Sequence, residues 1–180
     1  MANGLAFRRN AVKTLTSQIG VYALCYLDNI PVYVGQSSDG IRQRVQRHLT
    51  SARSDVIANR QIDVWEIAFV WEYPVTEKAD MNRLETLLFH HFNPRSRLMN
   101  GAIPVQPASL THIPEPSKIV QVMSDDEIAE KKTLELRLPR QADHYAQIVG
   151  HFLVVKNSNQ IAAAMDAHFM RLSKYHSLML

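Results

Sequence analysis

The stretch IGVYALCYLDNIPVYVGQSSDGIRQRVQRH, residues 19–48, decides the fold. "VYALCYL" and "VYVG" are short runs rich in β-branched and aromatic residues, and "DNIP" between them supplies turn chemistry. They read as a β-hairpin. A two-residue loop at Asn29–Ile30 sets Leu27 opposite Val32 and Cys25 opposite Val34. Val21, Ala23, Cys25, Leu27, Val32 and Val34 then share one face, and Tyr22, Leu24, Tyr26 and Tyr33 share the other. "SSDGIRQRVQRHLTSAR" reads as a helix capped by Ser38 or Asp39, with Ile41, Val45, Leu49 and Ala52 as its buried stripe. Arg44 and His48, four residues apart, lie on a neighbouring face.

Outward from the hairpin, "VWEIAFVWEYPV" (64–75) alternates as a third strand, with Trp65 and Trp71 on one face, more suited to core packing than to base stacking. "DMNRLETLLFHHF" (80–92) reads as a helix with Leu84, Leu87, Leu88 and His91 as its stripe. Glu85 lies about 90° from the centre of that stripe, at the edge of the buried face. Asn93–Pro94 stops the helix. Residues 101–118 hold four prolines and read as a connector. Beyond it, Ser124 and Glu127 form a capping box ahead of "DDEIAEKKTLELRL". "HYAQIVGHFLVV" carries Tyr145, Ile148, Val149 and Phe152 at helical spacing, Asn157 with Gln160 is a second box, and Ile161, Met165, His168, Leu172, His176 and Met179 form a seam. The expected class is α+β: a small three-stranded antiparallel sheet flanked by helices, with a mainly helical C-terminal extension. The expected parts are a basic lead-in (1–18), a main domain (19–101), a connector (102–118) and the extension (119–180), which serves as a clamp or a homodimer contact.

The composition is that of a soluble globular protein, with 46% hydrophobic and 21% charged residues. The first residues lack the apolar stretch of a secretory signal, and the one cysteine, Cys25, excludes an internal disulfide. A reducing cytoplasm fits both. The net charge is only +3, but its distribution is uneven. Between residues 41 and 60 stand Arg42, Arg44, Arg47, Arg53 and Arg60 against one acid, Asp55. Such a basic cluster suits phosphate binding as well as it suits a solvated helix face.

Hydrolysis of a phosphodiester needs a base to prepare water, a cation to neutralise the phosphoryl oxygens and a group to stabilise the leaving oxygen. Tyr22, Tyr33, Arg44, His48, Glu85 and Asn100 offer that set. "GVY" at 20–22 and "YVG" at 33–35 resemble the paired tripeptides of the GIY-YIG nuclease family. "IRQRVQRH" resembles that family's arginine followed four residues later by histidine. "LETLLFHHFNP…LMN" resembles its glutamate helix, Asn-Pro stop and late asparagine. The resemblance covers roughly residues 19–101.

That resemblance implies a DNA endonuclease that leaves 5′-phosphate and 3′-hydroxyl ends. Glu85 is then the ligand of a single Mg²⁺, with Mn²⁺ as a substitute. Tyr33, or alternatively Tyr22, activates water, Arg44 stabilises the phosphate, His48 orients or deprotonates a tyrosine, and Asn100 closes the site or holds structure near it. Many members have lysine after the second tripeptide, where this chain has Gln36, which can offer a hydrogen bond to a phosphate oxygen but no charge. Arg42, Arg47, Arg53 and Arg60, with Gln36, are the expected nucleic-acid contacts. His90 and His91, being adjacent, diverge by about 100° and make a poor zinc pair. The competing reading is a nucleic-acid-binding or protein-interaction module that keeps the fold without turnover.

Overall fold

The structure, a computed structural model, describes residues 2–50, 60–107, 112–155 and 158–180. The chain runs α1 (Ala2–Lys13), β1 (Gly20–Tyr26), β2 (Pro31–Ser37), α2 (Ile41–Thr50), β3 (Ile67–Pro74), α3 (Lys78–Phe92), β4 (Lys118–Gln121), α4 (Asp125–Lys132), α5 (Leu134–Val155) and α6 (Asn159–Met179). The strands form one antiparallel sheet in the order β2-β1-β3-β4.

All seven residues of β1 are buried. It is an inner strand with both faces covered, so both of its side-chain parities are apolar. Tyr22, Leu24 and Tyr26 pack with Val12 and Leu15, with Ile41, Val45 and Leu49 of α2, and with Ile148 and Ile161 from α5 and α6. Val21, Ala23 and Cys25 pack on the opposite face against Met81, Leu88, Phe89 and Phe92 of α3. The result is three layers, with the sheet between α3 and the other helices. No described helix is long and apolar enough to cross a membrane.

The hairpin register differs from the two-residue-loop expectation. The Tyr26 N–H donates to the Ile30 carbonyl at 3.1 Å, which leaves Leu27, Asp28 and Asn29 as a three-residue loop. Asn29 takes φ +55°, a left-handed conformation that asparagine tolerates and that this loop type uses. The pairing becomes Ala23 with Val34 and Leu24 with Tyr33, and then shifts to Cys25 with Pro31. The irregularity turns Val32 onto the tyrosine side. Tyr22 and Tyr33 keep the same face because the two registers differ by an even number.

The expected three-stranded sheet gains a fourth strand. β4 is a four-residue edge in which Ile119 is exposed and Val120 buried, too short to leave a period in the sequence. The Val122 N–H donates to the Ala68 carbonyl, and the Ser117 N–H to the Glu72 carbonyl, each at 2.8 Å. Other expectations shift as well. Trp65 precedes β3 and is exposed, between the cations of Arg8 and Lys131. Trp71 lies in the strand, donating from Nε1 to Asn29 Oδ1 at 2.8 Å. The first turn of α2 takes its partners from the N-terminal arm rather than from a side-chain cap: Ile41 N–H donates to the Gln18 carbonyl and Arg42 N–H to that of Thr16. The α6 seam runs through Ile161, Ala164, Ala167, His168 and Tyr175. Ala52 and Asn157 lie outside the described residues.

The Ser124 cap forms, its Oγ accepting from the Glu127 N–H at 3.3 Å. The helix it starts ends at Lys132, because Thr133 adopts ψ 136°. That break redirects the chain so that Arg137 and Arg140 of α5 reach Glu66, which is fully buried just before β3. Arg137 also pairs with Asp28 of the hairpin loop at 2.8 Å, and its guanidinium lies over the Tyr175 ring at 4.1 Å. Burial pushes the Glu66 carboxyl up, against the pull of both guanidiniums. Removing one partner strands the other charges in the core. Glu66→Ala is expected to destabilise the protein by about 3–5 kcal/mol in denaturant unfolding. A loss below about 1 kcal/mol would show that these charges are not coupled.

Candidate active site

Gly35 pairs with Tyr22 across the hairpin. A Cβ there would lie 2.6 Å from Tyr22 Oη and 2.8 Å from Tyr33 Cε1. Glycine is therefore what lets the two phenols come together, with ring centroids 6.4 Å apart. Helix α2 brings His48 to the same place. Its ring centroid is 5.8 Å from that of Tyr22 and 5.9 Å from that of Tyr33. Tyr22 Oη and His48 Nε2 share a hydrogen bond of 2.7 Å. Both residues are buried, at 0% and 2% exposure.

Tyr33 is only half-buried and opens onto a cleft of about 320 Å³, whose walls include Arg44, Glu85, Phe89 and Asn100. α2 contributes Arg44 and α3 contributes Glu85 from the edge of its buried face. Segment 98–100 runs along the outer edge of β2. There the Met99 N–H donates to the Val32 carbonyl at 2.7 Å. Asn100 clasps Val34 with both ends of its amide: Oδ1 accepts from the Val34 N–H at 3.0 Å, and Nδ2 donates to the Val34 carbonyl at 2.6 Å. Asn93 Oδ1 accepts from the Leu98 N–H at 3.0 Å and so shapes the turn that leads into this clasp.

The electrostatics are clearest at Tyr22, His48 and Glu85. Burial raises the Tyr22 hydroxyl pKa well above the phenol's ordinary range, the neighbouring Tyr33 adds to this, and Arg44 opposes both without prevailing. A neighbouring arginine does not lower the Tyr22 pKa below the phenol range, because desolvation outweighs the cation. Burial, reinforced by Arg44 and Arg47, lowers His48 to about 3, so it is a neutral imidazole at pH 7. Burial raises the Glu85 carboxyl. Among the described residues, none gives Glu85 a hydrogen bond or an ion pair.

The remaining basic residues are placed as follows. Arg42 donates from Nε to the Leu15 carbonyl at 2.6 Å and so braces α2 against the N-terminal arm. Arg47 is exposed, 4.0 Å from Asp39. Arg60 is exposed and donates to Gln147 Oε1 at 3.3 Å. Arg53 lies outside the described residues. Gln36 donates from Nε2 to Asn82 Oδ1 at 2.7 Å, tying β2 to α3. His90 Nε2 bonds to the Pro104 carbonyl at 2.8 Å and His91 stacks edge-on against Phe92. No group of three or more His, Cys, Asp or Glu suited to a metal occurs among the described residues.

Gln61, Pro104 and Gln160 also line the cleft, and the sequence did not point to them. No motif marks them. They arrive from the segment before β3, from the connector and from α6, which only the folded chain brings to one wall.

The family model of the GIY-YIG catalytic domain matches residues 18–100. This stretch belongs to the GIY-YIG family, and the chain carries a nuclease-type domain built on the hairpin, α2, β3 and α3. No curated protein matches the sequence.

Two outcomes follow from this geometry. Gly35→Ala forces Tyr22 and Tyr33 to move within a packed core, at an expected cost of about 1–3 kcal/mol measured by denaturant unfolding; a neutral effect would mean that the rings are not held. His48 has a folded pKa of about 3 against an ordinary 6.5, so the unfolded chain binds the extra proton. The stabilising contribution is complete above pH 6.5 and is lost as the pH falls toward 3. Stability of the native protein is expected to fall more steeply than that of His48→Gln across this window, by up to about 1.4 kcal/mol per pH unit. Parallel profiles would show a histidine that is already charged.

Proposed function

We propose that the cleft hydrolyses phosphodiester bonds of DNA with one Mg²⁺, or Mn²⁺ in its place, leaving 5′-phosphate and 3′-hydroxyl ends. The observation that carries this reading is the convergence of Tyr33, Arg44 and Glu85 on one cleft, with the Tyr22–His48 hydrogen bond directly behind it.

Glu85 would hold the cation. Its carboxylate has no partner among the described residues, and the cleft has room for the waters and phosphate oxygens that complete the shell of a hard ion. When bound, the ion would supply positive charge at the phosphate and favour deprotonation of a nearby water. Tyr33 is assigned as the base, because of the two tyrosines it is the one that lines the cleft. As the phenolate, its own proton given up to solvent, it takes a proton from the attacking water as the water oxygen bonds to phosphorus and the P–O3′ bond breaks, and the departing 3′ oxygen takes a proton from solvent to become the 3′-hydroxyl. Arg44 neutralises charge that grows on the phosphoryl oxygens. Tyr22 keeps its proton and, with His48, fixes the orientation of the Tyr33 ring. Asn100 fixes the β2 backbone next to Tyr33. Arg47 and Arg60 lie on exposed surface where a phosphate backbone can be met, and such contacts place the substrate without reading its sequence.

Supercoiled plasmid incubated with the protein in Mg²⁺ or Mn²⁺ is expected to be nicked, and in EDTA to stay intact. Glu85→Ala is expected to lower the rate about 10³-fold and Tyr33→Phe about 10²-fold or more. Tyr22→Phe, which keeps the ring, should cost less than Tyr33→Phe. Retarded but uncut plasmid in every condition would replace this reading with a binding module.

A further inference from the structure

The cleft holds one cationic donor, Arg44, among its described lining residues. Two neutral donors near it are already engaged: Asn100 clasps Val34, and Gln36 bonds to Asn82. Gln61 differs. It is 4% exposed and lines the cleft, yet its side-chain amide makes no hydrogen bond to any described residue. Its polar atoms are not sealed inside the protein but open on the cleft, so the amide keeps hydrogen-bonding capacity that a molecule in the cleft can take up.

The backbone at this point is constrained. Arg60, directly before Gln61, adopts φ +58°, a conformation that non-glycine residues rarely occupy. The C-terminal helices hold it there. His144 of α5 bonds through Nε2 to the Arg60 carbonyl at 3.1 Å, and His168 of α6 through Nε2 to the Gln61 carbonyl at 3.0 Å. A carbonyl only accepts, so both imidazoles carry their proton on Nε2. Gln141 of α5 donates to Asp63 Oδ2 at 3.2 Å and fixes the next turn. Gly101 leaves the necessary clearance, since a Cβ there would sit 2.8 Å from Gln61 Nε2. Strain, clamp and clearance all serve to aim one amide.

We propose that Gln61 is a substrate-binding residue of this site, donating its Nε2–H to a non-bridging oxygen of the scissile phosphate, and that the α5–α6 pair positions it through His144 and His168. This rests on the nuclease reading above. It gives the C-terminal extension a role inside the cleft.

The test compares Gln61→Ala with Gln61→Glu by plasmid nicking in Mg²⁺ and by anisotropy of a fluorescent DNA duplex in EDTA. Glutamate has the shape of glutamine but replaces the donor with a negative charge. Gln61→Ala is expected to lower kcat/KM about tenfold, and Gln61→Glu at least tenfold further, with both melting close to the native protein. If Gln61 only fills space, the isosteric glutamate stays nearer to the native rate than alanine does, and that ranking overturns the proposal. If the native protein does not nick at all, the nuclease reading falls and Gln61 is judged by affinity: weaker binding by Gln61→Glu than by Gln61→Ala supports it, and equal affinity of all three proteins overturns it. For the positioning role, His168→Gln keeps an N–H for the Gln61 carbonyl and is expected to recover kcat (or, if nothing is nicked, duplex affinity) relative to His168→Leu. Equal values in the two His168 variants would remove the helices from the mechanism.

Discussion

The contact on which the rest depends is the hydrogen bond between Tyr22 and His48, 2.7 Å long and closed to solvent. It joins the inner strand β1 to helix α2 within a layer interface that Val45 and Leu49 make largely apolar. A buried hydroxyl and a buried imidazole each need a partner, so each fixes the other. Gly35 must lack a side chain for the Tyr22 ring to lie where it does. Tyr33, two residues before Gly35, is then turned toward the cleft. One satisfied polar pair thereby sets the strand, the helix and the reacting surface in a common frame.

Burial, more than the nearby cation, governs Tyr22. Although Arg44 lies near it, Tyr22 keeps its proton because it is closed to solvent and its charged form has no water around it. A neighbouring cation alone does not lower the pKa of a buried phenol. The same logic applies to Glu85, which is half-buried, raised by desolvation and open to the cleft.

Much of this was legible in the sequence. The hairpin, α2 and α3 each leave a period of two or of about 3.6 residues, and the chemistry-bearing positions recur at spacings that those periods place on one side. The even offset between the expected and observed registers protected the assignment of faces at Tyr22 and Tyr33, although the loop length was wrong. What the sequence concealed has physical reasons. A four-residue edge strand carries too few side chains to show alternation. Thr133 breaks a helix whose flanks both favour helix, and the reason lies in the distant Glu66. Arg42, an expected phosphate contact, also has a structural partner that its sequence context does not show, the Leu15 carbonyl. Gln61 carries no signal, because only the tertiary contacts with His144 and His168 give it a direction.

The fourth strand has a further meaning for how the chain is made. β4 and α6 are the late-emerging pieces during translation, yet one completes the sheet and the other supplies Gln160 to the cleft wall. A nascent chain that has exposed only its hairpin, α2 and α3 presents an unpaired β3 edge and an open-sided cleft. The ribosome thus delivers the hairpin, α2 and α3 well before the walls that enclose their cleft, and the interval between the two is time in which the young protein carries that cleft open-sided.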